Sequence, residues 1–333
     1  MKKSIAGIVL FASSALVQSV FGQVAAPIIT PGGSSLNPAV NFWKESIIVS
    51  VGVASGESKS GSQKVKGESA GTAVSFSGKF SVVGFAASIS NVHTDYDDFS
   101  TSSNSYTDYY NDYSSQDFQI ASGAEFVAVG LDVTNVKSET KYNDNSTSSY
   151  SDGESVSNIF GISLQFSELY LGYLSGQNSS KLKTKSSSGQ KDYPKLKTNS
   201  SGLGIGFLSR EKFDIHAEIY LLEESYAKVE DDGSYYSNEE SKATGITVEI
   251  MADLLNLGLI YQKTSYKEET YKDILDDYDR EIFSTVLGFS FTENLNLSYI
   301  LTTDKYEQKY KSSSEIFTFF DETENVFRIN YMF

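Results

Sequence analysis

From Ser46 onward, hydrophobic and polar residues alternate with a period of two in one segment after another. In residues 46–56, Ile47, Val49, Val51 and Val53 fall on one face and Ser50, Gly52 and Ala54 on the other, the spacing of a strand with one apolar face. The same alternation recurs in residues 69–79, 80–92, 116–125, 126–138, 155–167 and 168–177. It continues through residues 198–209, 213–225, 241–252, 255–266, 279–292 and 294–306, and ends in 324–333, which makes fourteen strands. The closing strand places Phe327, Ile329, Tyr331 and Phe333 on its apolar face, with Arg328 and Asn330 opposite.

The connections alternate short and long. Tight turns are predicted around Gly78 and Lys79, at Arg210-Glu-Lys and at Glu293. Seven intervening connections are long and rich in Ser, Asp, Lys and Tyr, and that asymmetry matches barrels with short periplasmic turns and long external loops. Open sheet edges do not survive in hydrocarbon, where an unpaired backbone group costs several kcal/mol, so the strands must close. The expected fold is all-β: a closed antiparallel transmembrane β-barrel of about fourteen strands, its last strand paired to its first and both termini periplasmic.

Composition narrows this picture. Lys2 and Lys3 precede an apolar run from Ile5 to Val17 and small residues up to Gly22, which reads as a secretory signal peptide over residues 1–22. No later apolar run approaches the length of a spanning helix, and the mean hydropathy of −0.27 suits a barrel whose lipid-facing and lumen-facing residues alternate. Aromatic residues at 13%, with 22 Tyr and 21 Phe, fit interfacial girdles. Three of the four prolines, Pro27, Pro31 and Pro38, precede the first strand, as a ladder-forming chain requires. No cysteine is present, so disulfides and thiolate metal sites are excluded. The net charge of −16 becomes −18 once Lys2 and Lys3 leave with the signal, which argues against nucleic acid as a partner. The chain thus divides into residues 1–22, a periplasmic or plug segment over 23–45, and a barrel over 46–333.

The closing strand resembles the C-terminal strand of bacterial outer-membrane β-barrels, where a terminal aromatic is an assembly signal. That resemblance implies a role for Phe333 in recognition by the barrel-assembly machinery, and integral placement in the outer membrane among lipid and lipopolysaccharide. Within residues 23–45, Leu36-Asn37-Pro38-Ala39 resembles the Asn-Pro-Ala element that ends the N-terminal plug of the FadL/OmpP1-type channel family. Members are fourteen-stranded outer-membrane channels for hydrophobic compounds, so the resemblance implies a plug at Asn37, Pro38 and Ala39. The segment is shorter than the family's plug and lacks the Gly/Ala-rich run ahead of the motif, and the external connections here are polar. A plug and a flexible periplasmic tail both remain open for it.

Candidate chemistry is sparse. Alternation puts Asp214, His216 and Glu218 on the lumen face with Arg328 and Asn330, an ordinary polar lining. Asp214-x-His216 is similar to a pair in outer-membrane proteases, yet it lies at the periplasmic start of its strand, the wrong end for surface proteolysis. The second external connection, from Asp95 to Asp117, holds six Asp without Lys or Arg, a composition suited to Ca²⁺ but lacking the turn glycine of an EF-hand. Otherwise no cofactor is expected. The fourth connection, basic through Lys181, Lys183, Lys185 and Lys191, could pair with it or meet lipid phosphates. The function expected is a non-enzymatic channel or transporter for passive uptake of small solutes, hydrophobic ones among them. The alternative is a surface-exposed structural or adhesive barrel with no transport role.

Overall fold

A computed structural model describes residues 37–43, 46–60, 63–99, 106–144, 147–186, 189–192, 195–210, 214–229, 235–252, 254–270, 275–292, 295–309 and 316–332. Residues 1–36, with the expected signal peptide, and Phe333 lie outside the described residues. A 3₁₀ helix, η1 (Pro38–Trp43), precedes fifteen strands. These are β1 (Ser46–Ser60), β2 (Gln63–Phe80), β3 (Val83–Phe99), β4 (Tyr106–Gly123), β5 (Val127–Asp144), β6 (Thr147–Phe166), β7 (Leu169–Ser186) and β8 (Gly189–Asp192). There follow β9 (Lys195–Arg210), β10 (Asp214–Val229), β11 (Tyr235–Ala252), β12 (Leu255–Thr270), β13 (Leu275–Ser290), β14 (Leu295–Lys309) and β15 (Ile316–Met332).

Fourteen of them form a closed antiparallel barrel in which each strand pairs with its neighbours in sequence; β8 is a short addition that pairs only with the far end of β7. Closure is made by β1 and β15, in register from Ile48↔Met332 to Lys59↔Asp321. Strand number, order and closing pair are those expected from the alternation. Outward positions carry an apolar belt: Val51, Val53, Phe160, Leu171, Leu257, Leu259, Phe327 and Ile329 are all exposed. An exposed apolar surface encircling the molecule suits hydrocarbon, not water.

Two expectations change. The barrel strands run 15 to 20 residues, well beyond the roughly 9–11 that cross a bilayer, so much of what reads as long external connection is ladder. β5 and β6 stay paired out to Asp144↔Thr147, and β12 and β13 out to Glu269↔Leu275. The segment from Lys267 to Tyr278 is therefore strand on both sides of residues 271–274. These extensions escape detection because both faces see water, which removes the hydrophobic alternation while leaving strand-forming Thr, Tyr and Ser.

The first tight turn also moves. It lies at Ser81-Val82, between Phe80 and Val83, and not at Gly78-Lys79. Ser81 takes φ 56° at the first central position, and Ser167 takes φ 57° in the matching turn between Phe166 and Leu169. That is the primed-turn geometry whose twist fits two-residue hairpins, occupied here by serine where glycine is usual, which displaces the first turn from its expected position; the second lies at Ser167-Glu168, where the alternation of 155–167 and 168–177 places it.

If the belt is lipid-facing, Ile329→Lys and Leu259→Lys should each cost about 2–4 kcal/mol. Urea titration of barrels refolded into vesicles measures this, and near-neutral values for both would contradict the facing.

Candidate functional site: the barrel lumen

Inward positions differ sharply around the barrel. Over β1 to β3 they are small: Gly52, Gly71, Ser69, Ser88 and Ser90. Their hydroxyls bond to neighbours across the ladder, Ser69 to Thr94 at 3.1 Å and Ser90 to Ser115 at 2.7 Å. A cavity of about 890 Å³ lies along this side, with Gly52, Gly71, Val92, Tyr113, Ser138 and Gly153 among its lining. These six residues form one continuous cross-strand row from β1 to β6, and Gly52, Gly71, Ser138 and Gly153 leave space on either side of Val92 and Tyr113.

Nearer the short-turn end, η1 lies inside the barrel. Ala39 and Phe42 are buried against Ala121 of β4 and Ala128 of β5. Asn37, also fully buried, donates from Nδ2 to the carbonyls of Ile162 (2.9 Å) and Tyr173 (3.3 Å), on adjacent strands β6 and β7. Its Oδ1 accepts from the Ala39 N–H at 3.0 Å, closing the turn that Pro38 begins. The wall admits this turn because Gly130 and Gly161, neighbours in register, have no side chain there. A Cβ on Gly161 would collide with Asn37 Oδ1, and one on Gly130 would stand 2.5 Å from the Ala39 nitrogen. Asn37, Pro38 and Ala39 thus occupy a two-glycine notch.

The opposite wall is bulky and ionisable. Tyr170, Leu174, Leu208 and Tyr220 bury one another inside the lumen, with Ile159 and Leu222 packed on them. Tyr220 donates to Gln262 at 2.8 Å and Gln262 to Thr264 at 3.1 Å. This cluster was missed because strands read as having one apolar face; the signal was present in Leu169-Tyr170-Leu171 and Tyr220-Leu221-Leu222, where apolar residues break the alternation.

His216 and Glu218 face the lumen and are almost fully buried, as alternation requires. His216 sits between Glu218 (Nε2 to Oε2, 3.6 Å) and Glu249 (Nδ1 to Oε2, 3.4 Å), a partner on β11 that no sequence motif marks. Arg328 is on the same inward face, partly buried, paired directly with Gly52 across the closing ladder. The side chains of Asp214 and Asn330 lie outside the described residues. Arg280 grips Asp304 through two 3.0 Å bonds from Nε. Asp117 and Asp132 share Thr134, whose hydroxyl lies 3.2 Å from an oxygen of each.

The acidic segment from Asp95 to Asp117 is divided by the pleat. Asp117 points inward, whereas Asp95 and Asp112 point outward and flank His93, at 3.3 Å and 2.6 Å. Among the described residues no group of three or more His, Asp or Glu is arranged to hold a metal ion. Lys181 and Lys183 do not reach across to this segment; they stand opposite Glu154 and Asp152 of β6. The hydrogen bond with Asp112 raises the His93 pKa above 6.5, against a smaller lowering by burial. A raised value in the folded state stabilises the hairpin below pH about 6.5, and that contribution is lost as pH rises through the folded value. Histidine titration by NMR should show the elevated pKa, and Asp112→Asn should bring it down.

Two variants probe the notch. Gly161→Val should unseat η1 without opening the ladder, and Asn37→Ala should weaken its docking by about 1–3 kcal/mol, since two carbonyl contacts are lost. Limited proteolysis within residues 23–45 reads both, with heat-modifiable gel migration reporting an intact barrel.

No family model matches the chain, and no curated protein matches it in sequence. Solved structures share its fold. The deltaS2 mutant of TodX, a monoaromatic hydrocarbon channel, superposes with a TM-score of 0.60 at 10% identity, over 94% of this chain and 97% of that one. The Ralstonia pickettii toluene transporter TbuX gives 0.53 at 10% identity, over 96% and 98%. A Pseudomonas aeruginosa FadL homologue gives 0.52 at 11% identity, over 89% and 92%. The chain has the architecture of FadL-type channels, with sequence likeness too low to carry more than the fold.

Proposed function

We propose that this FadL-type barrel is an integral outer-membrane channel for passive uptake of small apolar solutes, with both termini periplasmic and Phe333 as its assembly signal. The observation that carries the reading is the Asn37-Pro38-Ala39 turn seated in its glycine notch inside the lumen, with an 890 Å³ cavity toward the long-hairpin end. A cavity of that size falls in the range that holds small organic molecules. The hydrocarbon channel and toluene transporter among the structural neighbours support the same reading, as do the apolar residues Tyr170, Leu174, Leu208 and Tyr220 in the wall beside the turn.

In this reading η1 is a plug. A solute enters through the long hairpins, rests in the cavity against the glycine-lined row, and reaches the periplasm when the turn leaves its notch. The wall contributes shape and partial desolvation; no bond is made or broken. His216, Glu218 and Arg328 line the path.

Purified barrels in liposomes test this. Benzyl alcohol should enter faster than into protein-free vesicles, and Gly161→Val or removal of residues 23–45 should speed entry further. No difference from protein-free vesicles in any of the three would leave the adhesive alternative, for which loss of cell attachment on trimming the hairpins would be the supporting result.

A further inference from the structure

The lysines of this barrel are sorted by face, whereas carboxylates occur on both. Every lysine whose side chain is described sits at an outward position, among them Lys137, Lys181, Lys197, Lys242, Lys263 and Lys305. Two are engaged there with carboxylates across the ladder, Lys242 with Glu223 at 2.9 Å and Lys263 with Glu281 at 3.0 Å. The inward face is acidic. Asp117 and Asp132 stand on β4 and β5, and Glu218, Glu224 and Glu249 on β10 and β11. Asp304 and Glu324 add to them on β14 and β15. Against these carboxylates the described inward positions supply two guanidiniums, Arg280 and Arg328, and the His216 imidazole, and Arg280 is bound to Asp304.

This distribution acts on whatever passes. A narrow lumen with low-dielectric walls focuses the field of its lining, so one sign of charge enriches the opposite sign and repels its own. Rings of Asp and Glu make cation pathways by the same physics. Carboxyl groups stand along the way a solute takes: the Asp117–Asp132 pair, drawn together on Thr134 so that it carries about one charge and not two, has Asp132 two residues along the inward face from the notch glycine Gly130, and Glu224 lies two inward steps from Tyr220. A carboxylate moving from the cavity past η1 would be stripped of water beside these groups, whereas an ammonium or an uncharged solute would not meet the same repulsion.

Resting on the channel reading above, we infer that the lumen discriminates by charge: it passes neutral and cationic apolar solutes and rejects their anionic counterparts. The substrate class is thus uncharged or amine-bearing aromatic and aliphatic compounds, and organic acids of the same size are excluded.

Three nearly isosteric solutes separate the possibilities: benzylammonium, benzyl alcohol and phenylacetate, each measured for entry into liposomes carrying the full chain and into protein-free controls at pH 7. Benzylammonium should outrun phenylacetate by about tenfold or more, and a KCl gradient across a planar bilayer should give a cation-selective reversal potential. Glu224→Gln/Glu249→Gln, checked for folding by heat-modifiable migration, should narrow the ratio; Glu224→Gln alone serves if the double variant does not assemble. Entry of benzyl alcohol with equal rates for the two ions overturns the charge inference and leaves the channel standing. A ratio unchanged in the variants overturns its assignment to the wall. Failure of all three solutes to exceed the controls overturns the channel reading, and this inference with it.

Discussion

Everything in this molecule depends on the β1–β15 ladder. Backbone N–H and C=O groups have no other partner in hydrocarbon, so fourteen strands either close or do not span. Closure then dictates the rest: it divides each strand into an outward and an inward face, fixes which residues share a row, and gives the interior a definite width. The apolar belt and the lumen are two consequences of one set of main-chain hydrogen bonds.

Inside that frame the lumen is built by uneven side-chain volume. Glycine and serine on β1 to β3 leave space; Tyr170, Leu174, Leu208 and Tyr220 on the opposite side consume it. η1 fits between because Gly130 and Gly161 withhold their Cβ atoms at the level of Asn37. The neutral side, the crowded side and the turn lying between them are distinct surfaces of one wall, and each is specified by a few residues on known strands.

How much could be read in advance follows the same logic. Strands such as 46–56 and 324–333 were legible because one face meets lipid and the other does not, a contrast that leaves a period of two. Their outer halves were not, since Ser, Thr and Asp wetted on both faces carry no such contrast. The turn at Ser81 was obscured because serine holds a backbone shape usually marked by glycine, whereas the turn at Ser167 showed as a break in the alternation. His216 and Glu218 were placed in the lumen by alternation, but Glu249 became their neighbour only through the register of β10 with β11, and Gly130 with Gly161 only through that of β5 with β6. Local patterns report which face a residue takes; pairing across strands decides its company.

The glycine notch has an evolutionary side. No residue is smaller than glycine, so every substitution at Gly161 adds atoms where Asn37 now lies. The seat can be lost in one mutational step, but it cannot be deepened by one. Its depth is already at the limit that the genetic code allows, and any further tuning of how firmly the turn is held must come from the Asn37 side of the contact.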